Sequence, residues 1–335
     1  MKSKISQFVF LVISLILAVI FIGLTLKQTD FEALKTAFQQ ANYFWILLSM
    51  ALSIFSYWLR AARWKFLLEP LGYKTVTKSG FWAISFAYFM NLTIPRSGEV
   101  ARATSFYKME NVPVDKSLGT IVLERVIDLC FLLLFMGITF ILSAETLYSF
   151  FAHSNTASFD KLKLIIGIGI LIFLLIFLFR KKLKRLPFYE KIVQFIKGII
   201  VGFRSILHLK KRGLFVLYSF GIWICYFLMT YVVFFAFPET SKFGLEEGFF
   251  LIISGALGMI LPAVGGLGYP YVMSVAFVAL YTAKGLPSDE GRAVGNYFGL
   301  ILYFAQVISI LLFGLLSVYF IPKLSRSKNK PIKIR

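Results

Sequence analysis

The chain has 335 residues, 59% of them hydrophobic and 18% aromatic, with a formal net charge of +20. A soluble domain of this size has no interior large enough for that much apolar side chain, so the sequence reads as an integral membrane protein. The apolar stretches have helical length and no strand alternation, which excludes a β-barrel. The Lys and Arg surplus sits in short loops beside them, which points to the positive-inside rule and anionic lipid headgroups rather than to nucleic acid.

In chain order, residues 6–26 follow Lys2 and Lys4 and stay apolar through Leu26. The run is long for a signal peptide and no small-x-small cleavage pattern follows it, so an uncleaved first span is expected. Further spans are expected at 43–63, 117–142, 162–180, 213–237 and 293–321, each meeting or approaching the ~20 residues that a ~30 Å hydrocarbon core requires. Two other apolar stretches do not fit a simple crossing. Ser79–Ile94 runs into Pro95, and Gly248–Ala283 carries no charge but is interrupted by Pro262, Gly265, Gly266, Gly268 and Pro270. Each half is too short to cross and the middle cannot stay helical, so each stretch is expected to be a re-entrant helical hairpin. Between them, Phe188–Leu209 places Ile192, Phe195, Ile196, Ile199, Phe203 and Ile206 on one helical stripe, and residues 186–211 are expected to form an amphipathic helix on the cytoplasmic face.

Loop charge supports this count. With the N-terminus cytoplasmic, the inner loops hold Arg60, Arg63, Lys65, Lys74 and Lys78, then the basic stretch Arg180–Arg212, then the tail. The outer loops hold Asp30, Glu32, Glu145, Asp160, Glu239, Glu246 and Glu247 with few lysines. Either hairpin, if it crossed fully, would swap the later loops to the wrong side. Both termini are therefore expected in the cytoplasm.

The fold class expected is all-α: one transmembrane domain over residues 1–335, with six transmembrane helices and two re-entrant hairpins. Residues 79–142 read as hairpin, Pro-Gly break, polar link at Pro113–Asp115, and long span. Residues 246–321 repeat that order with a link at Pro287–Asp289, and 322–335 form a basic tail. Three crossings separate the hairpins, so the units would be inverted relative to one another, an arrangement used by transporters.

Charge at the first break is the main chemical signal. After Pro95, Arg96, Glu99 and Arg102 recur at spacing three, which puts them along one face of a returning helix. The next span opens with Glu124, Arg125 and Asp128, the first and last sharing a face. An ionised side chain at mid-bilayer costs about 2.5–3.5 kcal/mol on insertion scales, so these groups must pair, line a wet cavity, or both. Glu99–Arg102 and Arg125–Asp128 pairs would make a buried lock between hairpin and span. The alternative is a headgroup pocket, favoured because every cation in the cluster is arginine, whose fork suits phosphate, and because a helix beginning near Ser97 or Gly98 adds N–H donors. The glycine cluster Gly258–Pro270 lies in no strand–helix unit and is not a dinucleotide loop. Its use is bare backbone that can approach a ligand or the first hairpin. Arg292, Asn296 and Gln306 give the last span a sparse polar face.

No metal or cofactor is expected: His153 and His208 are far apart without carboxylate or thiol at ligand spacing, and Cys130 and Cys225 lie inside apolar runs.

The ordered motifs "RAARWKFLLEPLG", "NLTIPRSGEVARA", "LERVIDL" and "LPAVGGLG" resemble the lysylphosphatidylglycerol synthase transmembrane-region family, the flippase-like membrane domain of multiple peptide resistance factor proteins. The resemblance covers essentially the whole chain. It implies a bacterial or archaeal inner-membrane protein that translocates lipid. It places the family's polar motifs on Arg63, Pro95, Arg96, Gly98, Glu99, Arg102, Glu124, Arg125 and Asp128. The chain closes in a short basic tail after Tyr319 where some members continue into a soluble aminoacyl-transferase domain, so no such domain is expected. Many members also carry a glutamate shortly after the late Gly-Gly-x-Gly, where this chain has Pro270, Tyr271 and Val272. The lipid's identity is left open.

These readings lead to a flippase-like transporter for an anionic or phosphate-linked lipid. Arg63, Arg96, Glu99, Arg102, Glu124, Arg125 and Asp128 would hold the headgroup. Pro95, Gly98, Pro262, Gly265, Gly266 and Gly268 would supply the helix breaks. The rival class is a membrane enzyme, or the membrane subunit of one, transferring an aminoacyl or glycosyl group to lipid. Loop acids Glu69, Glu110, Asp115 and Glu190 make no paired-carboxylate motif, which argues against an enzyme. The partners expected are a phospholipid or lipid-linked substrate and, in a third reading, a separate lipid-modifying synthase. Nucleic acid is not expected, and the oligomeric state is open.

Overall fold

A computed structural model describes residues 15–17, 19–27, 29–94, 97–143, 209, 211–260 and 264–328. Among them the chain is helical with no strand. Among the described residues, beside the helical stretch within 15–27, the fold is carried by α1 Phe31–Gln40, α2 Tyr43–Leu68, α3 Thr77–Thr93, α4 Gly98–Glu110, α5 Val114–Leu142, α6 Arg212–Tyr231, α7 Leu245–Ile260, α8 Gly268–Ala283 and α9 Ser288–Lys328. The expected span 162–180, the amphipathic helix 186–211 apart from residues 209 and 211, and the first part of 6–26 lie outside the described residues.

Among the described residues four helices are long and apolar enough to cross a membrane: Tyr43–Leu71, Val114–Leu142, Arg212–Ala236 and Ser288–Ser325. They coincide with four of the six expected spans. α5 leaves Phe140 and Ile141 69% and 77% exposed, an outward apolar face that suits lipid. Side-chain polarity sets several boundaries. Asp30 caps α1 by accepting from Glu32 N and Ala33 N, and Asn42 caps α2 by accepting from Phe44 N. α4 ends on Asn111 in the left-handed region, φ 57°, ahead of Pro113.

One boundary differs from expectation. Arg60 and Arg63 are not loop cations. α2 runs on to Leu68, and the two arginines are 4% and 0% exposed inside it. Charge marks the end of a span only when the charge has no partner; these two have partners inside the fold. Glu247 also leaves the loop set: it lies in the first turn of α7, accepts from Gly244 N at 2.8 Å and pairs with Lys284.

Both apolar stretches with Pro-Gly breaks fold back on themselves. α3 packs on α4, and α7 packs on α8. At the first turn, the Ser97 hydroxyl donates to the Met90 and Ile94 carbonyls, and Gly98 N donates to Asn91 Oδ1 at 2.8 Å. These bonds satisfy groups that a broken helix otherwise orphans. A Cβ at Gly98 would strike Ala87 O and the Asn91 amide, so the two arms close this tightly only on glycine. At the second turn, Gly265 and Gly266 take φ 66° and 77°, a region glycine enters at little steric cost. Gly268 is already helical, as the first residue of α8, so the break falls ahead of it.

The two turns meet. The Gly265 site lies about 4 Å from Leu92 at the end of α3, and the Tyr303 hydroxyl of α9 donates to Gly265 O at 3.0 Å. α2 and α6 run antiparallel: Ser49 Oγ donates to Met229 O, while Arg63 Nη1 reaches Ser219 Oγ. Two main cores result. One surrounds Phe234, Phe277 and Phe298 beside α8 and α9. The other surrounds Trp64, Phe106, Ile121 and Phe215, and the ionised groups sit against this second core.

Candidate functional site: a buried arginine–carboxylate cluster

Five helices converge on Glu124, which is 0% exposed in the middle of α5. Its Oε1 accepts from Arg60 Nη2 at 2.6 Å and Nε at 3.1 Å, and lies 3.2 Å from Arg63 Nη2. Its Oε2 accepts from Arg102 Nη2 at 2.9 Å. One turn on, Asp128 accepts from Arg63 Nη2 at 2.8 Å and Arg60 Nη2 at 3.4 Å. Arg60 Nη1 also donates to the hydroxyls of Tyr88 on α3, at 2.7 Å, and Tyr226 on α6, at 3.1 Å. The cluster thus ties α2, α3, α4, α5 and α6 together. Buried ions are tolerated only when paired and hydrogen-bonded, and each carboxylate here has at least two cationic partners.

Arg102 has a second support. Its guanidinium lies 3.9 Å from the centre of the Trp64 ring, a cation–π distance, and the Trp64 indole N–H donates to Thr120 Oγ1 at 2.9 Å. The indole is thereby fixed as a platform.

The expected pairing within each motif is replaced by pairing between them. Glu99 accepts from Arg125 Nε at 3.1 Å rather than binding Arg102, and Asp128 takes Arg63 and Arg60 rather than Arg125. The reason is helical register. Glu99 and Arg125 are both about half exposed at the surface of α4 and α5, whereas Arg102, Glu124 and Asp128 point inward.

Beside the cluster is a small, partly open cleft. Arg60, Arg102, Arg125, Glu99, Tyr88 and Asn91 line it, with Ile84, Ala87 and Gly98 as walls. Of the residues expected at a headgroup site, Glu99, Arg102 and Arg125 border this cleft. Glu124, Asp128 and Arg63 stand behind it as partners of Arg60 and Arg102. Pro95, Arg96 and Pro262 lie outside the described residues. Gly265, Gly266 and Gly268 are at the second turn rather than in the cleft. Asn296 and Gln306 reach Thr29 and Ser49, away from the cluster.

Sequence reasoning missed Arg60, Trp64, Tyr88, Asn91 and Tyr226. A signal did exist for Arg60. "RAAR" puts two arginines one turn apart, separated by alanines, and an α-helix that kept its register would present both to the same neighbour.

Membrane-length apolar helices packed around a desolvated ion cluster define a multi-pass membrane protein. The comparison with known families agrees. Residues 11–310 match the family described as lysylphosphatidylglycerol synthase TM region, and the chain belongs to that family. It is 30% identical over 138 residues to the UPF0104 membrane protein MJ1595 of Methanocaldococcus jannaschii, a match spanning 40% of this chain and 40% of that protein. No solved structure matches.

Proposed function

We propose that the chain binds an anionic or phosphate-linked lipid by its headgroup in the arginine-lined cleft and moves it between leaflets of a bacterial or archaeal inner membrane. The observation that carries this reading is the charge balance behind the cleft. Among the described residues the buried Arg60, Arg63 and Arg102 pair with the buried Glu124 and the partly buried Asp128, three cations against two anions. A cluster that existed only to lock helices would be expected to balance. An excess cation beside an open cleft suits an incoming anion.

In this reading the two helix pairs are re-entrant hairpins, both termini are cytoplasmic, and the chain is an inverted repeat that alternates access by rocking one half against the other. Neighbour relations support the repeat. α3–α4–α5 correspond to α7–α8–α9, and α2 to α6. α2 packs on α3 as α6 packs on α7, α4 on α5 as α8 on α9, and across the halves α5 packs on α7 as α9 packs on α3.

The test is leaflet exchange of a fluorescent anionic phospholipid in proteoliposomes. Arg102→Gln leaves Arg60 and Arg63 facing Glu124 and Asp128, a balanced set, so the fold should persist. Loss of one or more charged hydrogen bonds at about 1.5–3 kcal/mol each should slow exchange tenfold or more. Equal rates in wild type and variant, with matching melting curves, would refute the proposal.

The family's description favours a second reading, in which the chain is the membrane component of a lipid-modifying synthase. Absence of exchange by a well-folded protein, together with lipid modification that depends on it in membranes, would favour that reading.

A further inference from the structure

Glycines mark where the helix backbones touch. On α9, Gly291, Gly295 and Gly299 recur at spacing four. A Cβ on each would meet α8, at 2.9 Å from Phe277 O, 2.8 Å from Ser274 Cα and 3.2 Å from Pro270 Cα. Gly258 of α7 likewise approaches Tyr269 Cα of α8, at 3.0 Å. Ser274 Oγ donates to Arg292 O across the α8–α9 seam, and Glu247 of α7 pairs with Lys284 just beyond α8. α7, α8 and α9 are thus joined backbone to backbone, the close approach that small residues permit inside a membrane. The earlier helices are fastened differently. The ion cluster ties α2, α3, α4, α5 and α6 together, and Gly80 and Gly98 bring α3 against the backbones of α2 and α4. α6 belongs firmly to this set. Ser49 Oγ donates to Met229 O at 2.7 Å, Gly221 takes the Leu59 side chain, and Arg60 and Arg63 reach Tyr226 and Ser219. Between the two sets the contacts are of another kind. Gly248 and Gly314 take side chains there, those of Phe227 and Phe89. Rings meet rings at Phe227–Phe249, Phe234–Phe298 and Trp82–Phe320. The hydrogen bonds that cross include Thr139 Oγ1 to Phe249 O at 3.1 Å and Gln306 Nε2 to Ser49 Oγ at 3.5 Å.

We propose that the protein moves as two rigid bodies, α2–α6 and α7–α9, so that the mechanical division falls between α6 and α7. The repeat would instead group α6 with α7–α9. This rests on the transport reading above and names its moving parts. Rigid-body motion needs an interface with more than one arrangement. A buried ion cluster and a backbone seam each have one, because opening either leaves a charge or a packed surface unpartnered where no water replaces the partner. Ring contacts, and side chains seated on a glycine, shear by small adjustments of rotamer. The two bodies then roll on the α3–α9 contact and on the meeting of Leu92 with Gly265. The residues lining the cleft all come from α2, α3, α4 and α5. The cleft therefore travels intact with the first body, and what changes is how α7–α9 is placed around it.

The experiment measures distances between nitroxide pairs by pulsed electron resonance. It uses the full-length protein with Cys130→Ala and Cys225→Ala, in nanodiscs of phosphatidylcholine with and without phosphatidylglycerol. Labels go on positions exposed among the described residues: Phe55 on α2, Leu217 on α6, Val275 on α8 and Ile308 on α9. The Leu217→Cys/Ile308→Cys pair, from α6 to α9, should give two distance populations in at least one of the two membranes. Phe55→Cys/Leu217→Cys, from α2 to α6, and Val275→Cys/Ile308→Cys, from α8 to α9, should each give a single population in both. A division along the repeat predicts the reverse for the two pairs that include α6. Ile224→Cys/Leu315→Cys repeats the α6–α9 measurement at other exposed positions, which guards against local disturbance by a label. A split α2–α6 distance beside a single α6–α9 distance would overturn the division and leave transport standing. Single populations for every pair in both membranes would overturn the two-body motion. A split α6–α9 distance in labelled protein that exchanges no fluorescent lipid in proteoliposomes would support the division and refute transport.

Discussion

Glu124→Gln should be the most damaging single change in the cluster. The substitution keeps shape and removes one charge, so packing is not confounded. It takes the buried set from three cations and two anions to three cations facing Asp128 alone, with Arg102 losing its only hydrogen-bonded carboxylate. Removing one partner of a buried pair costs about 3–5 kcal/mol, because the remaining charge stays desolvated. At roughly 2–4 °C per kcal/mol for a domain of a couple of hundred residues, melting in detergent should fall by about 6–20 °C. Arg125→Gln is the internal control. It breaks the Glu99 pair, whose side chains are 45% and 48% exposed, and such pairs are worth about 0–1 kcal/mol. Adding Arg102→Gln to Glu124→Gln restores the original surplus of one cation. The double variant should therefore melt above the Glu124 single variant, a coupling expected only between groups that touch. Tryptophan fluorescence during a thermal ramp reads all four proteins. A Glu124→Gln variant that melts with wild type would show that water already reaches the cluster, and the argument from burial would fail.

Two further outcomes are expected. Asp128→Asn removes a carboxylate whose side chain is 17% exposed, and Arg63 and Arg60 keep Glu124, so the stability loss should be about 1–3 kcal/mol, clearly below that of Glu124→Gln in the same melt. Gly98→Ala drives a methyl group into Ala87 O and the Asn91 amide, and Gly98 N loses its acceptor. The hairpin should open, with protease sensitivity appearing between α3 and α4 and destabilisation of about 1–3 kcal/mol; a fully resistant, wild-type-like variant would refute the close-approach argument.

Much of the architecture was legible because long apolar runs have few alternatives. Spans at 43–63, 117–142, 213–237 and 293–321 coincide with membrane-length helices, and the Pro-Gly breaks coincide with turns between packed helix pairs. Polar positions near a span's end were read less well. Lys, Arg and Glu look alike in a linear sequence whether they end a helix or serve it. Arg60 and Arg63 were therefore assigned to a loop, although Glu124, 64 positions from Arg60, holds them inside. The same blindness put Glu99 with Arg102. Spacing along one helix finds candidate pairs, but partner choice here is between helices, and it depends on which face each arm turns inward. The aromatic platform at Trp64 had no signal, because an indole in an apolar run reads as core or interface.

The proposed repeat is symmetric in packing but not in chemistry, and this bears on how transport could work. Counting from Pro113 and Pro287, the residues corresponding to Glu124 and Asp128 are Phe298 and Leu302, at 0% and 3% exposure. Phe298 packs among Phe234, Phe237 and Phe277, a dry aromatic core where its counterpart is an ion cluster. Exchanging the roles of the two halves would reproduce the packing, yet it would put hydrocarbon where the proposed headgroup site has arginine. The proposed repeat therefore offers no second site of the same chemistry at Phe298 and Leu302. If the halves rock, the single cluster on the first half must serve both leaflets. The moving boundary is then the contact of Leu92 and Gly265 where the two turns meet, together with the α9 surface on α3, where Gly314 leaves room for Phe89. A residue that stiffens that boundary without touching the cleft should slow exchange while leaving headgroup affinity unchanged, which separates movement from binding.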